Sequence, residues 1–244
     1  MKTLVKSIKE AHHTIVFTGA GMSTESGLPD FRSKSRGLWE KFNPDELANV
    51  NALLNNEKEF TEFYRYRLSE IKKYAPHRGH FILSEWEEKN LLKGIITQNV
   101  DGFHTEAGSK NVMELHGTFN NFHCHECYWQ QNRDKYLAGE TKCPKCRGRI
   151  RPGIVLFGEA LPQDVFQRAE EETAEADLFI VLGSSLSVTP ANMFPLMAKE
   201  KGAKLVIINR EPTELDRYAD ITIHNRNIKD LLIQLDGLIF MEAE

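Results

Sequence analysis

Three short, uninterrupted apolar runs stand out along the chain: TIVFT at residues 14–18, LFIVL at 178–182 and LVII at 205–208. Continuous apolarity, rather than alternation, means that both faces of a strand are covered, as in a parallel sheet. LKGIIT at 92–97 and residues 221–223 are weaker strand candidates. Apolar residues recur at helical spacing over 78–88, 164–174, 191–201 and 228–235, and the opening MKTLVKSIKEAHH puts Leu4, Val5 and Ile8 on one side of a helix. Strand and helix alternate. The alternation predicts an α/β fold, an open, doubly wound parallel sheet whose ligands sit beyond the carboxyl ends of its strands.

Two stretches interrupt the pattern. Residues 33–75 are polar and charged, helix-prone at 39–41 and 58–73, and read as an insertion after the first strand. Residues 120–149 hold all four cysteines with Gly139, Pro144 and Gly148, and have too few apolar residues to fold unaided.

Composition narrows the picture. Hydrophobic residues at 41% and charged residues at 27% are globular values, and 244 residues suit one large domain with a small lobe. A net charge of −4, from 31 basic and 35 acidic side chains, argues against nucleic-acid binding through bulk positive charge. The first residues lack the apolar core of a secretion signal, and no stretch approaches the roughly 18 apolar residues of a membrane span, so a cytoplasmic protein without membrane contact is expected.

The cysteines carry the clearest chemical signal. Cys124-His-Glu-Cys127, fifteen intervening residues and Cys143-Pro-Lys-Cys146 have the spacing of two knuckles closing on one tetrahedral zinc. Four thiolates leave no open coordination position, so the metal is expected to be structural. Two disulfides or redox thiols are the alternatives, and both fit poorly in a reducing compartment. His123 and His125 beside the first knuckle are expected at the surface.

A second signal lies at the strand ends. Gly19, Ala20 and Gly21 directly follow the first strand, where bare backbone can approach a phosphate, although Thr24 stands where the dinucleotide fingerprint has its third glycine. A tight structural turn is the other reading. Gly183, Ser184 and Ser185 follow the strand at 178–182 and Asn209 ends the strand at 205–208, so small and polar residues converge on one crevice suited to ribose and phosphate oxygens.

Taken together, the blocks GAGMSTESGLPDFRS (19–33), TQNVDGFH (97–104), ELHG (114–117), the cysteine quartet and GSSLSV (183–188) resemble the sirtuin family, in its order and over nearly the whole chain. The resemblance implies a single catalytic domain over 1–244. Its Rossmann-like large part is expected at 1–34, 76–119 and 150–244, and its small lobe is expected from a helical insertion at 35–75 and a zinc-ribbon module at 120–149. It further implies an NAD+-consuming protein-lysine deacylase with one structural zinc, acting on acylated-lysine proteins or peptides. Gly19, Ala20, Gly21, Thr24, Phe31 and Arg32 match the cofactor loop. Gln98, Asn99, Val100 and Asp101 match the set around nicotinamide and its ribose, with Asn99 and Asp101 also assigned catalytic parts. Gly183, Ser184, Ser185, Asn209, Arg210, Glu211 and Ile228 match the adenosine side.

His116 matches the catalytic base. Nicotinamide leaves, the acyl oxygen attacks the vacated ribose carbon, and a ribose hydroxyl must then lose a proton near neutral pH, a task for histidine. Asn99 and Asp101 have turn formation as their alternative reading. By the same resemblance Val155 and Phe157 would line the acyl-lysine channel, while Gly158, Glu159 and Val188 would pair with an extended peptide. Tyr64 and Arg67, one helical turn apart, with Ala48 nearby, resemble the pair by which some sirtuins hold succinyl or malonyl groups, and a solvated basic helix face is the competing reading.

Two other functions compete. Mono-ADP-ribosyl transfer shares the chemistry at the ribose carbon. A zinc-ribbon nucleic-acid module would use Lys142, Lys145, Arg147, Arg149 and Arg151, a short patch that leaves most of the chain unexplained.

Overall fold

The computed structural model describes residues 1–30 and 43–241. Helix α1 (Lys2–Glu10) leads into β1 (Thr14–Thr18), and the insertion folds as α2 (Pro44–Leu47), α3 (Val50–Asn55) and α4 (Glu57–Ile71). Then come α5 (Arg78–Glu88), β2 (Gly94–Thr97), α6 (Phe103–Glu106) and β3 (Val112–Glu114). The cysteine segment contributes β4 (Gly117–Cys124), β5 (Gln130–Gln131), α7 (Arg133–Leu137) and β6 (Ile150–Ile154). The chain ends with α8 (Gln163–Glu175), β7 (Leu178–Leu182), α9 (Phe194–Glu200), β8 (Lys204–Ile208), β9 (Ile221–Ile223) and α10 (Ile228–Phe240).

Six strands pair in parallel in the order β3-β2-β1-β7-β8-β9. This is the order of dinucleotide-binding sheets, with its reversal between β1 and β7. The continuous apolar runs follow from burial on both sides. Val16, Ile180 and Val206 face α5 and α10 through Leu83, Trp86, Leu231 and Leu235. Phe17, Phe179, Val181 and Ile207 face α8 and α9 through Ala169, Phe194 and Ala198. Each such side chain contributes about 1.5–3 kcal/mol by leaving water.

The departures from sequence expectation are local. The strand expected at 92–97 begins at Gly94. The helix expected at 191–201 opens as a 3-10 turn, Ala191–Met193, because Pro195 lacks the N–H that would extend the α-helix backwards. Helix α10 runs five residues past the expected 235, its start fixed by Asn227, whose side chain accepts from the Asp230 N–H. The short strand β3 gives no sequence signal. Residues 39–41 lie outside those described. Among the described residues, no helix is long and apolar enough to cross a membrane.

The insertion and the cysteine segment share one core: Ala52, Leu53, Phe60, Tyr64 and Leu68 pack with Phe122, Tyr136, Cys124, Cys143 and Ile150. An antiparallel sheet, β5-β4-β6, carries the cysteine segment. The segment thus covers its shortage of apolar residues with the aromatic face of α4.

Candidate active site and metal centre

The cleft lies where the fold requires it, at the carboxyl ends of β1 and β7. The Gly21 N–H donates to the Gly183 carbonyl at 2.8 Å, and a Cβ on Gly21 would lie 2.7 Å from Gly183 Cα. Gly183 adopts φ +63°, and a Cβ there would come within 2.4 Å of the Met22 nitrogen. The two strand-end turns touch through bare backbone, so these glycines serve close packing as well as an open approach to ligand.

The cavity measures about 800 Å³. Every described residue assigned to cofactor, substrate or catalysis lines it except Asp101, which lines an adjoining recess with Ser23, Leu28 and Tyr66. Phe31 and Arg32 lie outside the described residues.

A polar network organises the floor. Asn99, buried, donates from Nδ2 to the Gly19 carbonyl at 3.1 Å and to Ser23 Oγ at 3.2 Å. Ser23 in turn donates to Asp101 at 2.8 Å, and the Phe103 N–H donates to the same carboxylate at 3.0 Å. Asp101 is therefore both turn-former and network member. Burial pushes its carboxyl up, against the pull of those two donors. Ser184 donates to Gln98 Oε1 at 2.8 Å, tying β7 to β2, while Asn209 donates to the Glu211 carbonyl at 2.8 Å.

His116 follows β3, half-buried on the cavity wall. Its Nδ1 lies 3.0 Å from the Gln98 carbonyl, an oxygen that only accepts, so Nδ1 carries the proton. Nε2 keeps its lone pair. Burial pushes the imidazole below its ordinary range, which the hydrogen bond to Gln98 partly opposes, so the ring is neutral at pH 7.

Tyr64 and Arg67 reach the same cavity from α4, with Ala48. The competing reading, a solvated helix face, is not what forms at these two residues. Tyr64 packs against Phe60, Phe63 and Phe119, and burial pushes its hydroxyl up to about 12. The Arg67 guanidinium lies 5.1 Å from the Phe119 ring centre, and burial lowers its pKa, with Tyr64 and Asp101 opposing.

The four cysteine sulfurs lie within 4.8 Å of one another, with contacts of 3.4, 3.4 and 3.6 Å. These distances exceed a disulfide's ~2 Å and approach the ~3.8 Å edge of a tetrahedron with ~2.3 Å metal–sulfur bonds. The donor set fits structural zinc, held by Cys124, Cys127, Cys143 and Cys146. Glu126 sits beside it, accepting from the Arg149 N–H at 2.8 Å.

The basic residues nearby do not form one open patch. Arg151 is buried, while Lys142 and Arg149 both pair with Glu57.

Several lining residues went unmarked in the sequence. Glu25 accepts from the Ile228 and Lys229 N–H groups at 3.1 and 2.7 Å, fastening the glycine turn to the start of α10. Arg226, Leu161 and Phe166 also line the cavity. Phe166 falls within the helix expected at 164–174 and Glu25 within the block 19–33, but no local pattern singles out either of them, or Arg226.

A sheet of this strand order, with a polar cleft at its reversal and a four-thiolate centre on an attached lobe, defines a nucleotide-binding protein with a structural metal module. The model of the Sir2 family matches residues 19–190. An NAD-dependent protein deacetylase of Oceanobacillus iheyensis is 53% identical, covering 92% of this chain and 95% of that protein. NAD-dependent protein deacetylase 1 of Geobacillus kaustophilus is 52% identical, covering 96% of each. A solved Sir2 complex with deacetylated p53 peptide and 3'-O-acetyl ADP ribose superposes with TM-score 0.91 at 35% identity, covering 96% of both chains. The chain belongs to the Sir2 family.

Proposed function

We propose that this protein is an NAD+-dependent protein-lysine deacylase, releasing nicotinamide and free lysine and leaving the acyl group on ADP-ribose. The observation that carries the reading is His116: a neutral imidazole with its proton fixed on Nδ1, in one cavity with Asn99, Gln98, Ser184 and Asn209. NAD+ supplies the electrophilic ribose carbon. Asn99 and Asp101 organise its nicotinamide end, Ser184, Ser185 and Asn209 hold the adenosine end, and Nε2 of His116 takes the proton of the attacking hydroxyl. Val155 and Phe157 flank the acyl-lysine, whose peptide runs between Gly158 and Val188. Zinc on Cys124, Cys127, Cys143 and Cys146 would brace the segment 120–149, which with the insertion forms the small lobe, and the rest forms the nucleotide-binding part. A four-thiolate metal centre, in place of two disulfides, fits a cytoplasmic protein.

Incubation with labelled NAD+ and an acetyl-lysine peptide should give O-acetyl-ADP-ribose and free lysine, and His116→Ala should abolish both. Label retained on protein would indicate ADP-ribosyl transfer instead. Full activity of His116→Ala would overturn the assignment.

The pocket end supports a second acyl class. Tyr64 and Arg67 reach the cavity rather than solvent, and an arginine fork beside a tyrosine hydroxyl suits the distal carboxylate of a succinyl group. Succinyl-lysine turnover lost in Arg67→Met, with acetyl-lysine turnover kept, is expected; absence of any succinyl-lysine turnover ends this second reading.

A further inference from the structure

We propose that Arg151 is a positioning residue for the substrate strand: with Glu159 it forms a latch that fixes residues 154–159, the wall along which the acyl-lysine peptide lies. The inference rests on the deacylase reading and adds to it a residue outside the cleft lining.

Arg151 sits on β6, 3% exposed, and grips both carboxylate oxygens of Glu159 at 2.5 and 2.8 Å. Its Nη2 also donates to the Ile154 carbonyl at 2.6 Å. Glu159 Oε2 accepts from the Leu156 N–H at 2.8 Å, and the Glu159 N–H donates to the Leu156 carbonyl at 3.0 Å. The segment is thus closed at both ends by one ion pair. The Glu159 carboxylate is committed inward, so only its backbone remains for a peptide.

The closed segment has two further anchors. The Val155 N–H donates to the His116 carbonyl at 2.8 Å, and the Phe157 N–H donates to the Ala48 carbonyl at 2.9 Å. The wall therefore spans from the base to the insertion, and its shape sets where Val155 and Phe157 stand relative to His116. Gly158 closes the turn at φ +91°, with no atom within 4 Å of where its Cβ would be, so a second backbone can approach there. Only arginine's planar fork satisfies two carboxylate oxygens and a carbonyl together; lysine is a point donor.

The test compares wild type, Arg151→Lys and the double variant Arg151→Met/Glu159→Leu, which removes both charges together and spares the fold an unpaired buried ion. Measured are peptide KM, NAD+ Kd without peptide, Tm, and amide exchange at Leu156 and Phe157. Both variants should raise peptide KM at least about tenfold, leave NAD+ Kd within about twofold, and speed exchange at Leu156, while the double variant regains near-wild-type Tm. Wild-type peptide KM and exchange in the double variant would overturn the latch, as would equal weakening of peptide and NAD+. Absence of acyl-lysine turnover by the wild type would instead sink the deacylase reading, and exchange at Leu156 would still decide the latch.

Discussion

The histidines beneath the cleft make the protein acid-sensitive in a way that can be worked out from their contacts. His80 and His104 are fully buried, 5.0 Å apart between ring centres. His80 Nδ1 accepts from the His77 N–H at 3.2 Å, so a second ring proton would meet a donor. His104 Nε2 donates to Thr18 Oγ1 at 3.0 Å, and its Nδ1 faces no acceptor among the described residues. Burial, helped by the neighbouring imidazoles, pushes His80 down to about 2 and His104 to about 3. In the unfolded chain both titrate near 6.5. Below that pH the unfolded state binds more protons, so stability falls as pH falls. Each histidine contributes a slope of about 1.4 kcal/mol per pH unit, so the two remove about 4 kcal/mol by pH 5. That is a large share of a typical 5–15 kcal/mol.

Glu114, raised to about 7 by burial, works in the other direction between pH 7 and 4.5, because there the folded state holds the extra proton. The difference between two proteins isolates the histidine. Urea unfolding of wild type and His104→Gln from pH 7.5 to 5 should give curves that converge below pH 6.5, by about 1.4 kcal/mol per unit. Parallel curves would refute the reasoning, whatever constant offset the substitution introduces.

Gly21→Ala places a methyl 2.7 Å from Gly183 Cα and 2.8 Å from its oxygen, so it should cost about 1–3 kcal/mol and weaken NAD+ binding at least about tenfold; unchanged Tm and calorimetric Kd would contradict the close approach. Since His116 lies below its ordinary range and the proposed mechanism uses it as a base when neutral, the acid limb of kcat/KM should fall below pH 6.5, and a limb above pH 7 would point to another group. Strong chelation should release one zinc per chain, open four thiols to a thiol reagent and lower Tm, because the cysteine segment and the insertion share a core; purified protein lacking metal would contradict this.

How far the chain declares itself depends on where the constraint acts. β1, β7 and β8 were legible because helices cover both their faces, so local composition records a global fact. The cysteine quartet was legible because metal geometry fixes spacing within each knuckle. β3 was not, since three residues at a sheet edge carry little burial. His116 and the strand-end residues were recognised as blocks, but the sequence alone gave no account of how Nδ1 is held or why Gly21 and Gly183 must both lack a Cβ. Local pattern leaves Tyr64 and Arg67 open between solvent and pocket, and packing against Phe119 from another segment places them. Arg151, part of the contact patch in the competing nucleic-acid reading, is buried. Sequence determined the periodic elements and the ligand spacings, which arise between near neighbours. Tertiary structure decided the partners of Glu25, Arg67 and Arg151, because a desolvated charge is placed by whichever distant segment supplies its counter-group, and no local pattern encodes that meeting.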